Sequence, residues 1–422
     1  MKLRIGIIFG SITYVFLLSW AYAQILSPRY GYMGFNIKEP SFFSITCMFI
    51  AILPSFWVPV SLLRPSQIVY LFLYVIVFIP VQIIPFNVTS IEHSQIFIFE
   101  FCLLIAFMFL SFIYKMPLLT IKQMSIPRHY FWIIISITIS LFYAYIIYVF
   151  GIQFNIVSLD DVYGVRNIYK TSLANYGRLP IYIISWQSNI LNPFLIAYGL
   201  INKRITPVII GIVGDLMIYS ITGFKSVLLS GLLIFALLIS IQYKGKFMGV
   251  FMVWGANLLS VLSIITYLWF QNVYLFSLFV ERTIGIPGLL TAYYFEFFSQ
   301  HPKYYLSYSI FSFFIQSPYD FEPASLIGYI YFGDSNVSAN ANLWADSYAN
   351  FGYLGLFVIT ALLGFVFWLF DSIACDKDTR LVTLMLGVPA LTLSNTSLLT
   401  ALLNGGIGLA LLLTLIIPNK RL

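Results

Sequence analysis

Apolar runs long enough to cross a bilayer recur along the whole chain, and they limit its fold more than any motif does. Twelve stand out, at residues 5–24, 41–63, 66–86, 96–114, 130–150, 179–201, 205–221, 227–243, 247–270, 351–374, 381–399 and 404–418. A spanning helix needs about 20 apolar residues. In lipid the backbone must satisfy its own polar groups, which favours helices. Hydrophobic residues make up 60% of the 422 and charged ones only 9%. A soluble core of that size could not hide so much apolar surface. The expected fold is therefore an all-α polytopic membrane protein of about 12 transmembrane helices, one integral-membrane domain over residues 1–422. The first run, between "MKLR" and "AYA", also has the form of a signal peptide. It is read here as a first span.

Charge orients the spans. Arg4, Arg64, Lys115, Arg128, Lys203, Arg204, Lys246, Lys377 and Arg380 fall in every second connection. Basic residues concentrate on the cytoplasmic side of membrane proteins, so both termini are expected in the cytoplasm. Most acids then lie outside. The two large outer segments are about 151–178 and 271–350, and both are expected to contain short interfacial helices.

Several function classes drop out. The net charge is +7, yet no basic run exceeds two residues, so nucleic acid is not an expected partner. There is no GxxxxGK[ST] phosphate loop. Cys47, Cys102 and Cys375 are scattered, no CxxC occurs and His is scarce, so neither a metal site nor a cofactor is expected.

The outer segments carry the chemistry. "DDVYGVRNIYKTSLANYG" sets Tyr163, Arg166 and Lys170 in a short space and ends at Gly177. Guanidinium groups match phosphate oxygens in a bidentate fork, and Lys adds a point charge. The plainer reading is loop polarity, with Asp160 or Asp161 paired to Arg166. In "ERTIGIPGLLTAYYFEFFSQHP", Leu289, Leu290, Tyr293, Tyr294, Phe297 and Phe298 repeat at helical spacing, with Glu296 on another face. This predicts a helix along or in the membrane surface. Arg282 precedes it, and a helix start with an Arg suits an anion. His301 reads as a helix-end residue. In "NANLWADSYANFGYLGLF", Asn342, Asp346 and Asn350 share one helix face. They are expected to face a polar cavity, to grip sugar hydroxyls and, at Asp346, to take a proton. The alternative is a solvated stripe. Lys225, in "ITGFKSVLLSG", either joins Arg166 and Arg282 in one basic pocket or snorkels to headgroups. Glu100 and Asp215, acids inside spans, point by default to ion coupling.

The many spans, the outer Arg166-x10-Gly177, the later "RTIGIPG", the "NLWADSYANFGYLG" and the "GFKS" together resemble the bacterial Wzy-type O-antigen polymerases. The resemblance implies a multi-pass protein of the bacterial inner membrane whose substrate is an oligosaccharide on undecaprenyl diphosphate. It implies a glycosyltransferase that joins such repeat units at the periplasmic face. A chain-length regulator, a polysaccharide co-polymerase, is a candidate partner, and membrane lipid surrounds the site. Arg166 and Gly177 match the family's first-loop pattern. Arg282 matches the second by position only, because Gly288 follows after five residues. On this reading Arg166, Arg282 and Lys225 hold the diphosphate, Asp346 or Glu296 acts as base, and one displacement inverts the anomeric carbon without a metal. The rivals are a lipid-linked oligosaccharide flippase or ion-coupled transporter, an O-antigen ligase, for which His301 would matter more, and a non-catalytic scaffold.

Overall fold

The computed structural model describes residues 1–121, 126–154, 162–242 and 245–419, and these contain helix and no strand. Fifteen helices follow in chain order. They are α1 Lys2–Met33, α2 Phe42–Phe56, α3 Gln67–Val88, α4 His93–Lys115 and α5 Arg128–Phe150. Then come α6 Val162–Tyr176 and α7, residues 179–201. Next are α8 Ile205–Thr222, α9 Lys225–Gln242 and α10 Met248–Phe270. A helical run over 276–300 is α11. Last are α12 Pro323–Phe332, α13 Leu343–Ala374, α14 Thr379–Thr392 and α15 Leu398–Ile416.

Among the described residues, nine helices are long and apolar enough to cross a membrane: α1, α3, α4, α5, α8, α9, α10, α13 and α15. The chain is thus a polytopic helical membrane protein, with fewer full-length apolar helices than the twelve expected. The three that differ have separate reasons. In α2 the helix tightens to a 3-10 turn at Pro54 and stops. In α14 the helix is interrupted between Met385 and Gly387. In α7 the helix is unbroken but carries Gln187, Ser188 and Asn192, all buried, which dilute its hydropathy.

The core is α3, buried along all of residues 65–86. A helix apolar on every side belongs inside. Tyr70 stacks on Phe107 of α4 at 4.5 Å, and Tyr74 donates to Ser11 of α1 at 3.0 Å. Small residues set the closest approaches, as is common between membrane helices. A methyl at Gly10 of α1 would lie 2.9 Å from Trp254 and Val253 of α10. At Gly214 of α8 it would meet the Tyr143 hydroxyl.

Asp215 is tied within the protein: Asn192 donates to it at 2.8 Å and Ser230 at 2.6 Å. Tyr143 and Gln187 donate to Asn192 in turn. Helices α5, α7, α8 and α9 are thereby joined. Glu100 is fully buried on α4.

The second half of α11 corrects an expectation. It does not lie on a surface. Pro287 through Phe295 are all buried, packed against α3, α12 and α13. Gly288 permits this, since a methyl there would sit 2.6 Å from Ile84.

Candidate functional site

Arg166 lies in the second turn of α6. Tyr169 and Leu173 share its face at helical spacing and fix the helix to Ile146, Met217, Ile218 and Val227 of α5, α8 and α9. Helix α6 gives way at Gly177, whose φ of +69° is left-handed. Nothing lies within 4 Å of a methyl built there, so the requirement is conformational rather than one of space. The Arg-x10-Gly pattern is, structurally, a helix stop placed about three turns beyond the arginine.

The Arg166 guanidinium donates from Nη2 to the Gly223 carbonyl at 3.3 Å. It also lies over the Phe224 ring, 5.5 Å from its centre. Lys225 is the next residue. Its charge reaches Glu281 on α11, whose pKa it helps to lower. Arg282 Nε is 3.9 Å from the same carboxylate. Glu281 is only 3% exposed and accepts from Ser277 Oγ. Burial is the largest influence on it and raises its pKa; Ser277, Arg282 and Lys225 offset this in part. Tyr30 stands beside Ser277 on a third side, and its neighbour Arg29 stands over Tyr267 at 5.5 Å. Lys225 and Arg282 thus act on one buried carboxylate, and Arg166 is held against the turn that leads into Lys225. Cations of this kind suit an anion such as a phosphate.

Asp346 and Glu296 stand elsewhere. Asp346 accepts from the Tyr308 hydroxyl at 2.7 Å. Its charge is felt by Tyr294 of α11. Tyr294 lies twelve residues beyond Arg282, roughly 18 Å at the α-helical rise. Glu296 accepts from the Ser90 backbone at 2.7 Å, from the Ser90 hydroxyl, and from Tyr331 at 3.2 Å. Only Phe295 separates Tyr294 from Glu296, so they leave α11 on nearly opposite faces.

In the Asn342–Asp346–Asn350 stripe both asparagines are buried, while Asp346 is partly exposed. Asn342 Oδ1 caps α13 by accepting from Trp344 and Ala345, and its amide donates to Thr291 at 2.6 Å. Asn350 accepts from the Leu306 backbone at 2.8 Å and donates to Tyr308 at 3.0 Å. Its polar groups secure the 304–308 loop to the start of α13. Beside it Lys303 lies 4.4 Å from the Tyr348 ring centre, and burial lowers its pKa to about 8. His301 ends α11, with Nδ1 2.8 Å from the Phe297 carbonyl and its ring stacked on Phe297 at 4.1 Å.

The side chains of Tyr163 and Lys170, and residues Asp160 and Asp161, lie outside the described residues. Sequence reasoning missed Glu281, Arg29 and Tyr308. Only "ER" at 281–282 carried a signal, and it reads as a surface pair. Among the described residues no group of three or more His, Cys, Asp or Glu gathers to hold a metal. Compared with protein-family models, curated proteins and solved structures, the chain matches none.

Proposed function

We propose that the protein is a membrane glycosyltransferase of the Wzy type, which polymerises undecaprenyl-diphosphate-linked repeat units at the periplasmic face of the inner membrane. The observation that carries this reading is that Lys225 and Arg282 act on the buried Glu281, with Arg166 held against the turn that leads into Lys225. On this proposal the nine long helices, together with α2, α7 and α14, make twelve crossings, with both termini in the cytoplasm and the cationic cluster outside.

The cations bind the diphosphate of the donor lipid. An acceptor hydroxyl attacks the anomeric carbon, the sugar–phosphate C–O bond breaks, and the electron pair leaves on undecaprenyl diphosphate. The cations stabilise that charge as it develops. The hydroxyl's proton passes to a carboxylate, and a single displacement inverts the centre. Glu281 stands beside Lys225 and Arg282, whereas Asp346 on α13 and Glu296 on α11 stand apart from them and are engaged by Tyr308 and by Ser90 and Tyr331.

The test is Arg166→Ala and Arg282→Ala, each in the native host. The expected outcome is loss of the long surface-glycan ladder with single repeat units retained. Loss of single units as well would indicate flipping or ligation. A normal ladder from both variants would remove the proposed site. Arg166→Lys is expected to restore the ladder only in part, because Lys keeps the charge and loses the planar fork.

A further inference from the structure

The end of the bundle away from Arg166 contains a cavity of about 180 Å³ between α5, α7, the start of α14 and residues 417–419. Helix α5 fixes the two ends. It begins here at Arg128 and finishes at Phe150, which packs on Tyr169 of α6. The cavity wall is aromatic. Trp132 meets Tyr198 edge-on at 4.4 Å and Phe194 at 6.1 Å, and Phe131 is buried behind them.

Arg128 stands at the mouth, its Nη2 donating to the Tyr198 hydroxyl at 2.8 Å. The opposite wall is held by Lys377. Its ammonium donates to the Ile417 carbonyl and, at 2.7 Å, to Asn419 Oδ1, both of them lining residues. Lys377 is 2% exposed, so its positive charge lies behind that wall. Asp378 also borders the cavity, but Arg380 engages its carboxylate at 2.8 Å. Asp376 in turn acts on Lys377, which leaves Arg128 as the exposed cation of the lining, so the cavity mouth favours an anion. On the outer side α5 presents Tyr130, Ile133 and Ile137, all exposed, so the cavity adjoins the surface that lipid covers.

We propose that this cavity binds an anionic phospholipid of the adjoining leaflet. Its phosphodiester sits on Arg128 and an acyl segment lies along Trp132 and Phe194. A guanidinium at a membrane boundary gives a phosphate two parallel donors, and basic pockets between membrane helices accept anionic headgroups. A zwitterionic lipid brings an ammonium as well, for which the engaged Asp378 offers little. The site is independent of glycosyl transfer and lies at the other end of the molecule.

The experiment is native mass spectrometry of the purified full chain in detergent, titrated with phosphatidylglycerol, phosphatidylethanolamine or inorganic phosphate. Phosphatidylglycerol is expected to bind in preference, and millimolar phosphate is expected not to displace it. Arg128→Gln should weaken phosphatidylglycerol binding about tenfold, as the loss of one charge-assisted contact implies. Trp132→Ala, which keeps Arg128, should weaken it as well and serves as a second reading if the first variant folds poorly. Equal binding of the two lipids, unchanged binding in both variants, or displacement by phosphate alone would each overturn the proposal.

Discussion

At the scale of single residues, Glu281 is the side chain with the most to test. Burial raises its pKa above the ordinary 4.5. The folded protein therefore keeps this proton at pH values where the unfolded chain has lost it. Stability from this group is complete below the unfolded pKa and is lost as pH rises through the folded one. Glu281→Gln keeps a hydrogen-bond acceptor for Ser277 and cannot titrate. The thermal midpoint of the wild type, measured in detergent from pH 4.5 upward, should fall relative to that of the variant. Parallel curves would show that the carboxylate is not held in a buried setting. Arg166, Lys225 and Arg282 were legible as candidate anion ligands from residue type, because cations in segments expected to lie outside run against the inside bias. Glu281 was not, because an acid next to an Arg looks like an exposed pair until burial is known. The roles of Asn342 and Asn350 were hidden for a similar reason. A polar stripe on a helix does not say whether sugar hydroxyls or the protein's own backbone will satisfy it.

At the scale of elements, glycines separate conformational need from spatial need. Gly177 stops α6 with a positive φ in open space. An L-residue in that region costs about 1–2 kcal/mol, with Asn among the more tolerant. Gly177→Ala should therefore lower stability by about 1 kcal/mol and Gly177→Asn by less, read as shifts in thermal midpoint. Equal shifts would argue against a conformational role. Gly214 is the spatial case. A methyl there would run into the Tyr143 hydroxyl, which bonds Asn192 at 2.8 Å. Gly214→Ala should cost more, about 1–3 kcal/mol for overpacking with displacement of a core group. A Tyr143→Phe background should recover part of that loss by removing the clashing oxygen. The helices themselves were largely readable from apolar run length. The position of α11 was not. Its apolar residues repeat at helical spacing, which fits a surface helix, but Thr291 and Ala292 are buried as well. Only Gly288, which lets α3 come close, hinted at a place inside.

At the scale of the whole molecule, the two ends of the bundle differ in what their charges do. At the end containing Arg128, cations serve the helix termini: Arg64 donates to the carbonyls of Ile113 and Met116, and Arg4 to those of Ser55 and Val58. At the other end, Lys225 and Arg282 come from separate segments to one buried carboxylate, and Arg166 holds the turn before Lys225. The positive-inside rule assigns the first end to the cytoplasm, and this assignment can be tested with thiols. Cys375 is exposed and Cys47 buried. Cys375 closes α13 just beyond Asp371, which accepts from Ser66 at the start of α3. Arg178 is exposed and separated from the Asn202 end by all of α7. In intact spheroplasts an impermeant maleimide should label Arg178→Cys in a Cys375→Ser background, and should label the native Cys375 only after the membrane is opened. Labelling of both from the same side would place the cationic cluster and the chain's termini in one compartment. A periplasmic polymerase site would then be untenable, whatever the geometry of its arginines.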